Sequence, residues 1–395
     1  MTGLPETAFT TPQASAATGE QAWLSAMLEV ERALASAAAQ VGVVRPENAQ
    51  AVVDACDEGA LDADAIRAAV VSDATPVVEL VRQLRARVPE DAQEAVHVAA
   101  TSQDVVDTAM VLVCRRAIDG VVADAAVVTD LLARLAQRHR DDVQTGRTLL
   151  QDGAVTTFGA LAASRLVAVD DALDTLQAVV RDRLCLQLGG AVGTLAPVKD
   201  VAAEYLTAVA HRLGLPEPVT PWHTSRGRVA QLVSACAVLT GELAAVAHDV
   251  VLLSQSSVAE VTVAHPGGSS AMPHKRNPAS AVLVLACARR TPGLVATVLS
   301  GMPQELQRSA GSWQAEWAVV SEVLRLVAAA AAHTRRTLDG LVVDTGRMAR
   351  NAEALGSPLD AGAAGLVVDR ALTAHHERRA ARPTTTGDAM TVETR

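Results

Sequence analysis

The chain has 395 residues, half of them hydrophobic and only 2% aromatic, so it can bury a large core built from small aliphatic side chains. A formal net charge of −10 with no basic run argues against nucleic acid, and the five cysteines (Cys56, Cys114, Cys185, Cys236, Cys287) form no C-x-x-C pair and no ligand-spaced cluster with histidine. No metal and no disulfide frame are expected, and without a signal peptide or an unbroken run of ~18 apolar residues the expectation is a cytoplasmic protein away from membranes.

Residues 1–18 are Thr/Ala-rich with two prolines and are expected to be loose or extended. The first clear helical period covers 20–41, where Gly42 stops it and Pro46 starts the next. Short helices are expected at 46–56, 61–71 and 76–87, ending before Pro89. A long helix follows at 103–140, with Val121, Ala125, Val128, Leu132 and Leu135 in one stripe and Asp124, Asp130, Arg134 and Arg138 off it. Further helices are expected at 156–184 and 198–213, divided by a glycine-rich link. Val229, Leu232, Cys236, Leu239, Leu243, Val246, Val250 and Leu253 then alternate three and four residues apart, a coiled-coil-like seam that one helix cannot bury alone. After residue 345 one convincing helix remains, at 360–379, and 381–395 reads as a disordered polar tail. The fold class is therefore nearly all-α. The expected division is a small helical region over 1–102, a central long-helix bundle over 103–344 and a reduced C-terminal part over 345–395.

Three stretches carry chemistry. Residues 267–278 read G-G-S-S-A-M-P-H-K-R-N-P. Two glycines allow close backbone approach, Ser269 and Ser270 supply hydroxyls, and Lys275 and Asn277 offer a cation and an amide at the start of an apolar helix. The arrangement suits a carboxylate-bearing ligand, since a helix N-terminus also attracts anions. Residues 97–108 read H-V-A-A-T-S-Q-D-V-V-D-T, in which Thr101 or Ser102 is a natural helix cap and Asp104 suits a first turn. Residues 146–159 read G-R-T-L-L-Q-D-G-A-V-T-T-F-G.

Together these strings resemble the three conserved regions of the fumarase/aspartase superfamily, over about residues 20–350. The last region there is G-S-S-x-M-P-x-K-x-N-P, the first H-x-G-x-T-S-x-D-x-x-D-T, and the second approximately G-R-T-x-x-Q-H-A-x-P-T-T-F-G. The resemblance implies an L-aspartase-like bundle, built in relatives from long helices of four subunits with shared active sites. It also implies Ser269 as the catalytic base and a small polycarboxylate as substrate. Thr101, Ser102, Gln103, Thr148, Gln151, Ser270, Lys275 and Asn277 would hold that substrate, and His97 would lie close by. Asp152 stands where relatives commonly have a histidine described as a general acid or charge partner. It can act as an acid only if its environment keeps it protonated; otherwise His97 is the catalytic candidate for that work. Two smaller differences are Ala99 for a glycine and Val155 for a proline.

The segments 184–196, 221–228 and 303–317 resemble one branch, the 3-carboxy-cis,cis-muconate cycloisomerases, with Arg308 retained as a carboxylate partner but Leu306 and Gln307 in place of His and Glu. The branch implies cofactor-free addition of a carboxylate across a double bond, giving 4-carboxymuconolactone. Two rival readings stay open: another superfamily lyase that releases fumarate from a substituted succinate, and a non-catalytic helical oligomer. The stretch from Gln255 to the signature and the C-terminal part are both shorter than in many relatives.

Overall fold

The computed structural model describes residues 3–57, 61–356 and 358–382. The N-terminal stretch departs from expectation: a 3-10 turn at Pro5–Phe9 and helix α1 (Pro12–Ala17) replace a loose segment. Thr11 caps α1 by accepting from the Ala14 N–H, and contacts with a distant helix tie the stretch down. Nε2 of His333 bonds the Ala8 carbonyl at 3.1 Å, and the Arg325 guanidinium donates to the Thr18 hydroxyl and carbonyl. Those anchors lie more than 300 residues away, so no local pattern announces them.

Helices α2 (Glu20–Gln40), α3 (Pro46–Asp57), α4 (Ala63–Asp73) and α5 (Val77–Arg85) follow as expected, to within a few residues. Then comes α6 (Ser102–Arg138), whose 37 residues rise about 55 Å at 1.5 Å each. The next segment carries no helical or strand period that the sequence reveals. It forms an antiparallel hairpin of β1 (Val143–Thr148) and β2 (Gln151–Thr157), with Leu149 and Leu150 at its tip. Both leucines have positive φ, 52° and 62°, the geometry a two-residue hairpin turn imposes and usually assigns to Asn or Gly.

The chain continues through α7 (Phe158–Arg183), a 3-10 turn at Ala196–Val201, α8 (Ala202–Leu213) and α9 (Gly227–Leu253). Next are β3 (Val261–Thr262), α10 (Ala279–Ser300), α11 (Ser312–Leu338) and β4 (Val342–Val343), with β3 and β4 paired antiparallel. Helices α6, α7, α9, α10 and α11 form the bundle: α11 packs on α6, α9 and α10, and α7 on α6 and α9.

All eight seam residues of α9 are buried within this one chain. Each contributes roughly 1.5–3 kcal/mol relative to exposure, so the seam is satisfied without a partner. The unpartnered surface belongs to α10, where only six residues are buried and Val282 and Leu299 are exposed. By length and composition alone α9 and α10 would each cross a membrane, but α9 is a core helix here.

Among the described residues, two helices rather than one follow β4. The segment Thr345–Glu353 forms α12, capped by the Asp344 carboxylate on the Arg347 N–H and anchored by buried Met348 and Ala352. With only those two apolar anchors among polar residues, it shows little periodicity. Helix α13 (Ala364–Ala381) lies on α7 and α6 through a small apolar cluster, and His375 bonds Asp170 at 2.8 Å. Most of the expected polar tail, from residue 383, lies outside the described residues.

The hairpin is joined to α6 by two backbone bonds, from the Phe158 N–H to the Asp142 carbonyl and from the Gly159 N–H to the His139 carbonyl. A Cβ at Gly159 would sit 2.6 Å from the His139 oxygen and 2.7 Å from the Arg140 Cα, both backbone atoms that cannot swing away. Gly159→Ala is therefore expected to cost about 1–3 kcal/mol by overpacking. A thermal midpoint equal to wild type would show that this junction yields freely.

Candidate active site

The first motif folds into a buried polar hub at the start of α6. Thr101 is the N-cap, and Asp104 returns the bond by accepting from the Thr101 N–H at 3.0 Å, a full capping box. The same carboxylate accepts from the Gly189 N–H at 3.1 Å, the Gly190 N–H at 2.8 Å and Nε2 of His223 at 2.6 Å. Asp104 is thus an orienting group, as its capping position suggested. The glycine-rich link does more than turn the chain. A Cβ on Gly190, whose φ is +70°, would lie 2.8 Å from the Ala99 oxygen, so only glycine brings this N–H onto Asp104.

Gln103 is buried, and its amide N–H groups go to Asp107 at 3.1 Å and the His223 carbonyl at 2.8 Å, while its Oε1 has no partner among the described residues. Arg308 lies in the irregular link between α10 and α11, not on a helix, and donates to the Gly190 and Gln307 carbonyls, both at 2.7 Å. It belongs to this end of the bundle, but its guanidinium is occupied by carbonyls rather than a carboxylate. Thr101 and Ser102 remain half-buried and within reach of solvent.

His97 adopts a positive φ of 64°, and its Nδ1–H donates to a carboxylate oxygen of Glu31, on α2, at 2.7 Å. Burial works against the imidazolium. The charge and hydrogen bond of fully buried Glu31 outweigh it and hold the His97 pKa above its ordinary value.

Beneath this hub lies a second buried network. Arg226 is fully buried, bonds both oxygens of Asp107 at 2.7 and 3.0 Å, and reaches Glu316 at 2.6 Å. Trp313 donates its ring N–H to Asp107 at 3.0 Å. Helices α6, α9 and α11 are thereby locked together at this end.

The second and third motifs lie at the other end. Thr148, Gln151 and Asp152 sit on the exposed tip of the hairpin, at the far end of α6 from Ser102. The Asp152 side chain is 62% exposed and lies 3.3 Å from Nε of Arg147. The burial that would turn this carboxyl into a proton donor is not supplied within the chain. Arg147 also bonds both oxygens of Glu260, at 2.7 and 3.0 Å. Gln144 and Asn351 complete the shell of that fully buried carboxylate. Burial raises the Glu260 pKa, but these three donors outweigh it and hold it below the usual range. Glu260 therefore ties the hairpin to the base of the signature loop and to α12.

The signature loop is closed by an antiparallel bridge between Gly267 and Asn277, with the Gly267 N–H on the Asn277 carbonyl at 2.8 Å and the return bond at 3.0 Å. The Asn277 side chain donates to the Gly268 carbonyl at 2.9 Å, so within the chain it shapes the loop. Ser269 accepts from the Met272 N–H at 3.1 Å, and Ser270 and Lys275 are exposed.

The predicted site residues thus fall into two groups at opposite ends of a helix about 55 Å long: His97, Thr101, Ser102, Gln103 and Arg308 at one, and Thr148, Gln151, Asp152, Ser269, Ser270, Lys275 and Asn277 at the other. No one chain brings them together. Glu31 and Glu260 escaped sequence reading; Glu31 lies mid-helix in an otherwise ordinary amphipathic pattern. The five cysteines are free and buried, and no cluster of potential metal ligands occurs among the described residues.

A family model described as Lyase matches residues 6–293. The chain is 39% identical over 345 residues to a 3-carboxy-cis,cis-muconate cycloisomerase of Bradyrhizobium diazoefficiens, covering 86% of this chain and 76% of that protein. It is 40% identical over 358 residues to a nitrosuccinate lyase of Streptomyces davaonensis, covering 87% and 75%. The crystal structure of 3-carboxy-cis,cis-muconate lactonizing enzyme from Pseudomonas putida superposes with a TM-score of 0.89 at 30% identity, covering 95% of this chain and 99% of that one.

Proposed function

Because the chain belongs to the lyase family of the fumarase/aspartase superfamily, we infer that it catalyses the cofactor-free cycloisomerisation of 3-carboxy-cis,cis-muconate to 4-carboxymuconolactone. The observation that carries this reading is the hub at Asp104. The segments 184–196 and 221–228, which resemble the cycloisomerase branch, meet there through Gly189, Gly190 and His223, directly under Thr101 and Ser102.

The chemistry is a β-elimination run backwards. A substrate carboxylate oxygen forms the ring C–O bond at one alkene carbon, and the π electrons move onto the conjugated carboxylate as an aci-carboxylate. Fixed donors must meet that charge, a role suited to Thr101, Ser102 and Lys275. The Ser269 hydroxyl then gives its proton to the α carbon and is reprotonated from solvent, so each turnover consumes one proton. In the elimination direction the same oxygen is the base. A serine hydroxyl needs help for either task, which loop N–H groups and Lys275 would supply.

Family enzymes act on small carboxylates and are typically oligomeric. On our reading the working unit is a homotetramer, cytoplasmic and free of membrane and nucleic acid, in which the exposed face of α10 is covered by other copies. There the start of α6 from one copy would meet the hairpin and signature loop of others, completing the site. We retain the three-part division at residues 102 and 344 as part of that proposal.

A test of the shared site mixes two inactive variants, Ser102→Ala and Ser269→Ala, after dissociation and reassembly. Random mixing would restore activity to about a quarter of the sites if the two serines come from different copies. No recovery from well-assembled hybrids would place both in one chain. For the reaction itself, loss of conjugated-diene absorbance with 3-carboxy-cis,cis-muconate is the assay. A second reading is elimination from a nitro- or amino-substituted succinate: the likeness to a nitrosuccinate lyase supports the first, and the exposed Asp152 carboxylate suits the ammonium group of the second, which a muconate lacks. Fumarate release from such a substrate, with no loss of diene absorbance, would establish it instead.

A further inference from the structure

Glu31 is a fully buried carboxylate that the chemistry above leaves unused. It sits on α2, outside all three motifs, and its bond to His97 is the one hydrogen bond that its side chain makes among the described residues. Its second oxygen is buried and has no partner. A buried charge of this kind costs stability unless something offsets it. The ring it holds stands five residues before Ser102, on a backbone turn with positive φ at both His97 and Ala99.

A carboxylate only accepts, so Glu31 requires the proton of His97 to sit on Nδ1. Nε2 is then either a lone pair or, in the imidazolium, a second N–H donor. The residue where relatives carry a further histidine is Asp152, a side chain that offers no cation. Arg308 is bonded to the Gly190 and Gln307 carbonyls. Arg308 is thus a cation of this end whose donors are shared with carbonyls, and His97, five residues before Ser102, is the cation candidate with a ring nitrogen still to offer.

We propose that Glu31 is a positioning residue for the reaction: by holding Nδ1–H of His97 it fixes the ring and presents Nε2–H as the charged donor of the carboxylate subsite at the start of α6. This rests on the proposed cycloisomerase reading and deepens it.

Several groups around the pair share in the balance. Asp104 on α6 favours the imidazolium, and Arg85 on α5 opposes it. Tyr205 on α8 and Cys56 on α3 both feel the Glu31 charge. Tyr205 is otherwise engaged as a donor to the Val98 and Leu34 carbonyls. With a raised folded pKa, the charged subsite is present at low pH and is lost as pH rises through that value. Removing the Glu31 charge must move the loss to lower pH.

The test compares kcat/KM against pH for wild type, Glu31→Gln and Glu31→Asp, with a titration of the His97 ring by NMR on 13C-labelled histidine. Glu31→Gln keeps an acceptor and the volume but removes the charge. The expected result is an alkaline limb shifted about 1 pH unit lower and, at pH 8, a KM raised about tenfold with kcat changed less than threefold. Glu31→Asp should keep the limb near its wild-type position. The NMR midpoint should move with the limb, and that readout needs no substrate. If wild type fails to turn over the muconate, the functional reading falls, while the ring titration still decides whether Glu31 sets the charge of His97. If Glu31→Gln loses thermal stability but leaves both limb and ring midpoint unmoved, the pair is only structural and the proposal is overturned.

Discussion

Ser269→Ala is expected to lower kcat for lactone formation by about 10³-fold, within the 10²–10⁴ that a positioned proton-transfer group contributes, with KM changed little. The side chain is well placed for a clean test. Its one hydrogen bond among the described residues accepts from the Met272 N–H within the same loop. The loop base is held independently by the Gly267–Asn277 bridge and the Asn277 side chain. Removing one hydroxyl should therefore leave the unfolding free energy within ~0.5 kcal/mol of wild type. The neighbouring Ser270→Ala, which keeps the Ser269 hydroxyl, is the control and should lose much less. Full turnover by Ser269→Ala would remove this residue from the proton path and send the search to His97.

Arg226→Ala is expected to be the most destabilising single change, by about 3–5 kcal/mol, because it strands two buried carboxylates. Asp107 and Glu316 are almost fully buried and share the one guanidinium, from helices α6 and α11 respectively. Burial, with the neighbouring Asp107 charge, already holds the Glu316 carboxyl above its ordinary value despite Arg226 and Gln304. Without the cation, both acids must take up protons or draw in water, and the three-helix junction under the Asp104 hub loosens. The measurement is the urea midpoint of the assembled protein. The triple change Arg226→Met, Asp107→Leu, Glu316→Leu separates charge from packing: it should recover most of the loss, since an apolar replacement removes the stranded charges. A triple variant as unstable as Arg226→Ala would mean that shape, not charge, holds this junction.

Much of this architecture is written in local pattern. The apolar residues of α2, α6 and α9 recur three and four apart, and that period depends only on the helix each residue sits in. The helices accordingly fall where the sequence puts them, and the seam from Val229 to Leu253 is buried along its whole length. The motifs are equally local, because a loop of glycines, hydroxyls, a lysine and an amide can be recognised without knowing what it faces.

Other features depended on partners far along the chain. The segment 3–18 is ordered by α11, and the hairpin is held by Glu260, which lies 113 residues beyond Arg147. His97 takes its orientation from Glu31, 66 residues earlier, and Arg226 takes its charge balance from Glu316, 90 residues later. Which acid meets which base is set by how helices pack, and periodicity carries no record of it. The sequence by itself determined the long helices, their order and the three recognition strings. Only the tertiary structure decided that these strings lie at opposite ends of one long helix, because the direction of each helix in the bundle is a property of its neighbours.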